Sequence, residues 1–161
     1  MKTAAALVTF GLLLGTSGPA LAAATPEEAQ RLTGLFQSYL GSDPGVVSVT
    51  PQGDSYTARV DLAPLFAKVK DPDVSFSLSP LEWTLTDQGG GKWKVDQNQA
   101  VNFGFAVKGD AETKGTIGSV TSTAVFDESL RGFSSSSAEM KNISADQTMT
   151  DKGQTTHVAY V

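Results

Sequence analysis

Few side chains in this sequence are suited to nucleophilic or metal-dependent catalysis. The chain has a single histidine, His157, and no cysteine. A zinc site draws mainly on cysteine and histidine, and a catalytic thiol requires a cysteine. No serine stands in the Gly-x-Ser-x-Gly pattern that presents a catalytic serine on a sharp turn. We therefore expect no catalytic residue, no metal site and no cofactor, and we interpret His157 as an ordinary strand residue.

Carboxylates are the remaining candidates for chemistry. The Asp-Pro-Asp run at 71–73 could offer oxygens to calcium, but a calcium site needs about six to eight ligands and a defined loop; the run is more typical of a polar turn. Asp61 and Glu82 could act as a glycosidase pair, although both stand at outward positions of alternating strands. The glycines at 89–91 lack the Lys-Ser/Thr and the helix of a phosphate-binding loop, so we interpret them as a hairpin turn.

Aromatic side chains give the strongest indication of a binding function. Trp83 and Trp93 flank the three glycines. If residues 87–91 form the loop of a hairpin, Leu85 faces Trp93 and Thr86 faces Lys92, and a register shift of two residues keeps the same faces. The same alternation collects six aromatic residues on one apolar side of the predicted strands: Tyr56, Phe76, Trp83, Trp93, Phe103 and Phe105. These residues form either a ligand-binding surface or a closed core, and both interpretations stay open.

A helix is predicted over residues 26–40. Thr25 is placed to cap it, Pro26 occupies the first helical position and Glu28 follows the cap by three residues. Gly41 is a typical helix end. Apolar residues recur at three- and four-residue spacing and form one stripe: Ala29, Leu32, Leu35, Phe36, Tyr39 and Leu40. In a binding protein, Leu32, Leu35, Phe36 and Tyr39 would form a lid over the aromatic face.

After Gly41 the apolar period changes from 3.6 to 2, which is typical of strands with one dry face. The alternation changes phase around Gly118, which predicts a β-bulge. We predict a helical turn at Asp127–Arg131, a loop at Ser134–Ser137 and a final strand at 155–161. A sheet of six to eight strands is roughly 30–40 Å wide, whereas the helix is about 22 Å long and 10 Å across. The fold class is therefore mainly β (α+β): a curled antiparallel sheet or half-barrel with one N-terminal amphipathic helix packed on it.

The first 22 residues have the layout of a secretory signal peptide. Lys2 precedes an apolar run over residues 4–14, and small residues at 20–22 predict cleavage near Ala22. About 11 apolar residues are too few to span a bilayer, so we expect no stable membrane insertion. The absence of a following cysteine excludes a lipid-anchored lipoprotein, and the lack of disulfides favours a bacterial periplasm. Residues 23–161 are predicted to form a single β-rich domain, which could be the N-terminal part of a longer protein because the apolar alternation runs up to Val161.

The charge of the chain excludes nucleic acid as a partner. The formal charge of −5 becomes −6 when Lys2 leaves with the signal peptide. An acidic chain without a basic cluster repels nucleic acids and anionic membrane surfaces.

Two phrases carry a resemblance to a known family. SPLEWTLTD at 79–87 and SADQTMTD at 144–151 resemble an uncharacterised family of secreted alphaproteobacterial proteins, classed as a domain of unknown function. At the level of architecture, the signal peptide, early helix and long strands are similar to periplasmic lipoprotein carriers and related lipid-binding folds. The resemblance implies no catalytic residues, and it implies a longer chain rather than an activity.

Three functions follow as hypotheses. The first is a periplasmic, non-enzymatic protein that binds an apolar, lipid-like ligand through the six aromatic residues together with Phe36 and Tyr39. The second is a structural or scaffold protein of the envelope, whose sheet pairs with a protein partner or with a missing C-terminal part. The third is a polysaccharide hydrolase, which would need two converging carboxylates, one with a raised pKa.

Overall fold

The computed structural model describes residues 23–151 and 154–160. The predicted signal peptide lies outside these residues. Within them, no helix is long and apolar enough to cross a membrane. The elements in chain order are α1 (Pro26–Leu40), β1 (Val47–Gln52), β2 (Ser55–Val60), α2 (Ala63–Phe66), β3 (Val74–Leu78), β4 (Leu81–Asp87), β5 (Lys92–Val107), β6 (Ala111–Asp127), β7 (Gly132–Asp151) and β8 (Gln154–Tyr160).

The described strands form one antiparallel sheet in the order β1-β2-β4-β5-β6-β7-β8. β4 pairs with the first part of β5 and β3 with the last part, so these two short strands follow one another along the same side of β5. The sheet is open, and α1 packs against it. The predicted fold class, a mainly β antiparallel sheet with one N-terminal helix packed on it, is confirmed.

Two halves of the sheet are distinguished by what covers them. The proximal half contains β1, β2, β4 and the adjoining parts of β5, β6 and β7, and α1 packs on it. The distal half contains β3, β8, and residues 101–107, 111–117 and 143–151 of the long strands. The halves meet at the predicted bulge, where the pairing moves from Gln99 opposite Val120 to Val101 opposite Ile117.

Helix α1 begins and ends where its local signals place it. The Thr25 hydroxyl accepts a hydrogen bond from the Glu28 amide at 3.2 Å. The Gly41 amide donates to the Gln37 carbonyl, and Gly41 has a φ of 91°, which favours glycine. The predicted bounds of 26–40 are confirmed.

The β4–β5 hairpin has the predicted faces in a register shifted by two residues. Leu85 pairs with Val95, Thr86 with Lys94 and Asp87 with Trp93. The shift arises because the three glycines at 89–91 all adopt positive φ, which centres the turn one residue later than the sequence suggested. Leu85 and Trp93 still share the face that contacts α1.

The prediction of a loop at Ser134–Ser137 is wrong. These serines belong to β7, where Ser135, Ser136 and Ser137 pair with Val125, Ala124 and Thr123. Serine has no strong local preference for a strand, so pairing with β6 decides the conformation. Residues 128–131 form a hydrogen-bonded turn rather than a helical one, with the Arg131 amide donating to the Glu128 carbonyl at 3.2 Å.

The main core lies between α1 and the proximal half of the sheet. Its buried members are Ala29, Leu32, Val49, Tyr56, Ala58, Leu85, Trp93, Val95 and Phe126. Among residues 23–151 and 154–160, no comparable helix covers the distal half. Five large apolar side chains there remain 39–54% exposed: Phe76, Phe105, Ile143, Met149 and Tyr160.

Candidate functional site

The N-terminal half of α1 is attached to the sheet by hydrogen bonds as well as by packing. The Tyr56 hydroxyl accepts a hydrogen bond from the Thr25 amide at 3.0 Å. The Thr33 hydroxyl donates to the Ala29 carbonyl at 2.8 Å and accepts from the Val49 amide, on edge strand β1, at 3.1 Å. These hydrogen bonds fix the N-terminal half of the helix on the sheet. They do not reach its C-terminal half.

A third attachment joins α1 to the turn between β6 and β7. The Arg31 guanidinium donates to both carboxylate oxygens of Glu128 at 2.7 and 2.8 Å, and also to Glu28. The indole Nε1 of Trp93 donates to Glu128 at 2.6 Å. Hydrogen bonds from Arg31 and then from Trp93 hold the pKa of Glu128 below its usual range, against the effect of burial.

The C-terminal half of α1 lies further from the sheet. Along the apolar stripe, Leu32 is 1% exposed, whereas Tyr39 is 52% and Leu40 48% exposed. An apolar stripe that is buried at its start and open at its end indicates that the helix and sheet diverge. Between them lies a cleft of about 590 Å³, which is within the usual size range of small-molecule sites.

The walls of this cleft, named here the α1 cleft, are mainly apolar, with Arg59 and Arg131 as the charged lining residues. Leu35, Phe36, Tyr39 and Leu40 form the helical wall. The floor is contributed by strands β1, β2, β4 and β5, including Val47, Val60, Trp83, Leu85 and Val95. Such a lining favours an apolar ligand because polar groups placed there would lose hydration without gaining partners.

The turn between β6 and β7 forms one end of the α1 cleft. The Asp127 carboxylate accepts hydrogen bonds from the Ser129 hydroxyl, the Ser129 amide and the Leu130 amide, which hold its pKa below its usual range. The Tyr39 hydroxyl donates to the Arg131 carbonyl at 3.3 Å. Phe126 contacts Tyr39 and Phe133 edge to face, so aromatic rings close this end.

Three of the eight predicted ligand residues line the α1 cleft: Phe36, Tyr39 and Trp83. Tyr56 and Trp93 lie in the closed core at 5% and 4% exposure, with their rings in T-shaped contact 5.7 Å apart. The sequence pattern identified the shared face correctly, but it did not separate core from cleft.

The other three predicted residues belong to the distal half. Phe76 packs between Phe66 of α2 and Phe105, at ring distances of 5.6 and 5.2 Å. Phe103 is the cross-strand partner of Gly115, and its ring fills the space that a side chain at position 115 would need. The predicted residues therefore do not form one continuous site.

The distal half carries an apolar surface of uncharged residues, named here the distal face, which Asp151 borders at the end of β7. Three consecutive cross-strand rows on this face run through five strands, and every member is uncharged: Val74-Val107-Ala111-Met149-Thr156, Phe76-Phe105-Thr113-Gln147-Val158 and Leu78-Phe103-Gly115-Ala145-Tyr160. The charged residues Glu112, Lys114 and Asp146 alternate onto the opposite face.

Arg131 and Phe133 are among the cleft residues that were not predicted from the sequence as ligand contacts. Phe133 was missed because it directly precedes the serines assigned to a loop. A usable signal exists, since Phe126 and Phe133 flank a polar turn and pair across β6 and β7. Apolar residues placed symmetrically around a turn are typical of a hairpin with one dry face.

The carboxylate pair considered for hydrolysis has an unsuitable geometry. Arg59 bridges Asp61 and Glu82 at 3.1 and 3.0 Å. A backbone hydrogen bond from Ala63 and the contact with Arg59 lower the pKa of Asp61, whereas a general acid requires a raised pKa.

A second concavity, of about 680 Å³, lies on the opposite, polar face of the proximal half. Glu82 and Asp96 both line it, but Lys94 lowers the pKa of Asp96. Its side chains are mainly Thr, Ser, Asn and Gln, which are typical of a solvated sheet face. A carboxylate with a lowered pKa is not suited to act as the general acid of a hydrolase.

The remaining candidates for chemistry are structural or isolated. Asp71 accepts a hydrogen bond from the Asp73 amide at 3.0 Å, as expected of a polar turn. His157 lies 3.0 Å from the Thr148 hydroxyl on the exposed polar face of β8. Across residues 23–151 and 154–160, no group of three or more His, Asp or Glu residues is arranged to hold a metal ion.

Comparison of the chain with protein-family models, with curated proteins and with solved structures finds no match. The chemistry of the α1 cleft is therefore inferred from its own geometry.

Proposed function

We propose that this is an exported, non-enzymatic binding protein that holds the hydrocarbon part of a lipid-like ligand in the α1 cleft. The observation that carries the proposal is the apolar space of about 590 Å³ between the diverging end of α1 and the proximal half of the sheet. Phe36, Tyr39 and Trp83 are its aromatic contacts.

The lining predicts how affinity depends on the ligand. Each methylene transferred from water contributes about 0.8 kcal/mol, which corresponds to roughly a fourfold gain in affinity per carbon. Association itself costs several kcal/mol, so short chains bind weakly. Affinity should rise with chain length until the cleft is filled and then level off.

Ligand entry is attributed to the end of α1. The N-terminal half is fixed by the hydrogen bonds of Thr25, Arg31 and Thr33. Beyond Leu35, the described part of the chain has a single hydrogen bond from α1 to the rest of the fold, from the Tyr39 hydroxyl to the Arg131 carbonyl in the turn. A small outward movement of the last turn of α1 therefore opens the cleft without disturbing the core.

The proposal is tested by titrating the mature chain, residues 23–161, with saturated fatty acids of increasing length. The readout is Trp83 fluorescence in the Trp93→Phe variant, which leaves Trp83 as the only tryptophan. We expect saturable changes and the stated dependence on length. A fluorescence change that is unsaturable or independent of chain length would reject the cleft as the site.

A matched pair of variants localises the binding. Phe133→Asn removes an exposed aromatic side chain from the cleft, and Met140→Asn removes an exposed apolar side chain of the same strand outside it. Phe133→Asn should weaken binding by about tenfold to a hundredfold, given the ~1.5–3 kcal/mol range for burying a large apolar side chain. Met140→Asn should bind as the unchanged protein does. Equal effects of the two changes would place the ligand elsewhere.

Export to the periplasm is part of the proposal. The signal-like layout of residues 1–22 and the absence of cysteine support it. Expression of the full chain in a bacterium should yield a periplasmic product that begins at Ala23. An uncleaved product in the cytoplasm would contradict this part alone.

The distal face supports a scaffold function as a second candidate, in which two copies pack through this face. The distal face spans five strands at about 4.8 Å spacing and seven residues at about 3.4 Å each, so its flat area is roughly 600 Å², without the additional surface of the protruding side chains. A standard interface buries about 800 Å² per partner. A face without charge can meet its own copy without placing like charges together, although the acidic chain repels itself at longer range.

This candidate is tested by the molar mass in solution. Met149→Asp places a charge on the distal face, and Thr148→Asp places the same charge on the opposite face of the same strand. The unchanged protein and Thr148→Asp should be dimers that strengthen with salt, because salt screens the repulsion between acidic chains, and Met149→Asp should be a monomer. A monomeric unchanged protein at high concentration would exclude the scaffold built on this contact.

A further inference from the structure

The three arginines of this chain differ in their partners. Arg31 is bound by Glu28 and Glu128, and Arg59 by Asp61 and Glu82. Arg131 lines the α1 cleft, and no carboxylate of residues 23–151 or 154–160 lies within ion-pair distance of it. In an acidic protein, an arginine without a counter-ion at the edge of an apolar cleft is available to an anionic ligand.

The carboxylates closest to Arg131 in sequence have other partners. Asp127 lies 3.7 Å from Lys92 and accepts three hydrogen bonds within the turn. Glu128 is bound by Arg31 and Trp93. The negative charges of the turn are therefore compensated by other groups, and no described carboxylate compensates the charge of Arg131.

The backbone of Arg131 has an unfavourable conformation. Its φ is 52°, in the left-handed region that disfavours side chains other than glycine. The next residue, Gly132, could adopt a positive φ without strain, but the left-handed conformation falls on Arg131 instead. The hydrogen bond from the Tyr39 hydroxyl to the Arg131 carbonyl attaches this strained residue to the helical wall of the cleft.

We propose that Arg131 binds the anionic headgroup of an amphiphile whose hydrocarbon chain occupies the α1 cleft. This inference rests on the proposed function and names the ligand class: a single-chain amphiphile ending in a carboxylate or a phosphate. A guanidinium receives either group through paired hydrogen bonds. Arg59 also lines the cleft, but its charge is already balanced by its ion pairs with Asp61 and Glu82.

The test compares three ligands of equal chain length: dodecanoate, its methyl ester and dodecyl phosphate. Each is titrated into the mature chain, into Arg131→Gln and into the control Lys141→Gln, which removes a cation from the same hairpin outside the cleft. A hydrogen-bonded charge at a partly exposed site corresponds to about a tenfold preference for the anions over the ester. Arg131→Gln should abolish this preference because it weakens binding of the anions about tenfold more than binding of the ester, and Lys141→Gln should keep the preference.

The two anions distinguish the sources of the headgroup. Tighter binding of dodecanoate assigns a fatty acid, and tighter binding of dodecyl phosphate assigns a phospholipid-derived ligand. Equal affinity for the ester and both anions would overturn the headgroup inference and leave the cleft proposal standing. Binding of none of the three would overturn both. A uniform loss for all three in Arg131→Gln would show that Arg131 only maintains the turn, which also overturns the inference.

A second variant separates stability from binding. Arg131→Gly relieves the left-handed strain, so its urea midpoint should lie above that of Arg131→Gln. It should nevertheless lose the preference for the anions as completely as Arg131→Gln does. If Arg131→Gly keeps the preference, the headgroup does not bind this side chain and the inference is wrong.

Discussion

Glu128 offers the sharpest test of how α1 is held over the sheet. Its carboxylate accepts from Arg31 on the helix and from the indole of Trp93 in the core. Glu128→Gln retains an oxygen for the indole but removes the charge that binds Arg31. Glu128→Ala removes both, so comparing the two substitutions separates the ion pair from the core hydrogen bond.

The expected magnitudes follow from exposure. The Arg31 side chain is 46% exposed and keeps its contact with Glu28, so loss of the ion pair costs about 0.5–1 kcal/mol. Trp93 is almost fully buried, and an indole N–H without an acceptor there costs a further ~1–3 kcal/mol. Glu128→Gln should therefore destabilise the protein by about 1 kcal/mol, and Glu128→Ala by roughly 2–4 kcal/mol.

The ion pair also has a defined pH dependence. The pKa of Glu128 in the folded protein lies below its ordinary value of 4.5. A carboxylate with a lowered pKa stabilises the fold above the unfolded pKa, and this contribution is lost as the pH falls through the folded pKa. The stability difference between the unchanged protein and Glu128→Gln should thus be full at pH 7 and shrink below pH 4.5.

Urea unfolding followed by circular dichroism at pH 7 and at acid pH measures these differences. Glu139→Gln is the matched control, because Glu139 pairs with Lys141 on an exposed strand and should be worth only a few tenths of a kcal/mol. Equal stability of Glu128→Gln and Glu128→Ala would refute the indole hydrogen bond. A difference between the unchanged protein and Glu128→Gln that does not change with pH would refute the ion pair.

Three further predictions concern single contacts and are measured as urea midpoints. Thr33→Val keeps the shape of the side chain but loses the hydroxyl that accepts a hydrogen bond from the Val49 amide, so it should lower the free energy of unfolding by about 1 kcal/mol. Thr33→Ser keeps the hydroxyl and should be close to neutral, and equal losses of stability in the two variants would show that this hydrogen bond does not stabilise the fold. Gly115→Ala should cost ~1–3 kcal/mol because its methyl group would overlap the Phe103 ring. Gly34→Ala, in an open position of α1, should stabilise by about 0.5–1 kcal/mol; a loss there would contradict the described helix surface.

The helix was predictable because its signals are local. The Thr25 cap, the proline after it, the apolar spacing and Gly41 all lie within the segment that they define, so no distant contact is needed to interpret them. The faces of the strands were predictable for the same reason, since alternation alone assigns each residue to a side.

Register and strand extent were not predictable from the sequence. The β4–β5 pairing depended on how the glycines at 89–91 divide the turn, and all three take positive φ. The serines at 134–137 adopt a strand conformation because their backbone pairs with β6. The extent of the sheet and the shape of the cleft both result from contacts between residues that are distant in the sequence, so local sequence patterns do not predict them.

Of the eight residues predicted to contact a ligand, three line the α1 cleft: Phe36, Tyr39 and Trp83. Alternation identified one apolar aromatic face, which the register confirms. It could not show that Trp93 would be covered by the fixed start of α1 while Trp83 lies beneath its diverging end. That distinction depends on the angle between helix and sheet, which is set by the hydrogen bonds of Thr25, Arg31 and Thr33.

The central claim is that an apolar ligand occupies the α1 cleft. The most direct measurement is the native mass spectrum of the mature chain recovered from a bacterial periplasm without detergent, beside that of Leu35→Trp, which fills the cleft from its helical wall. The account predicts a stoichiometric adduct that solvent extraction removes from the unchanged protein and that Leu35→Trp lacks. A ligand-free mass for the unchanged protein that persists when fatty acid is added, or the same adduct on both proteins, would contradict it.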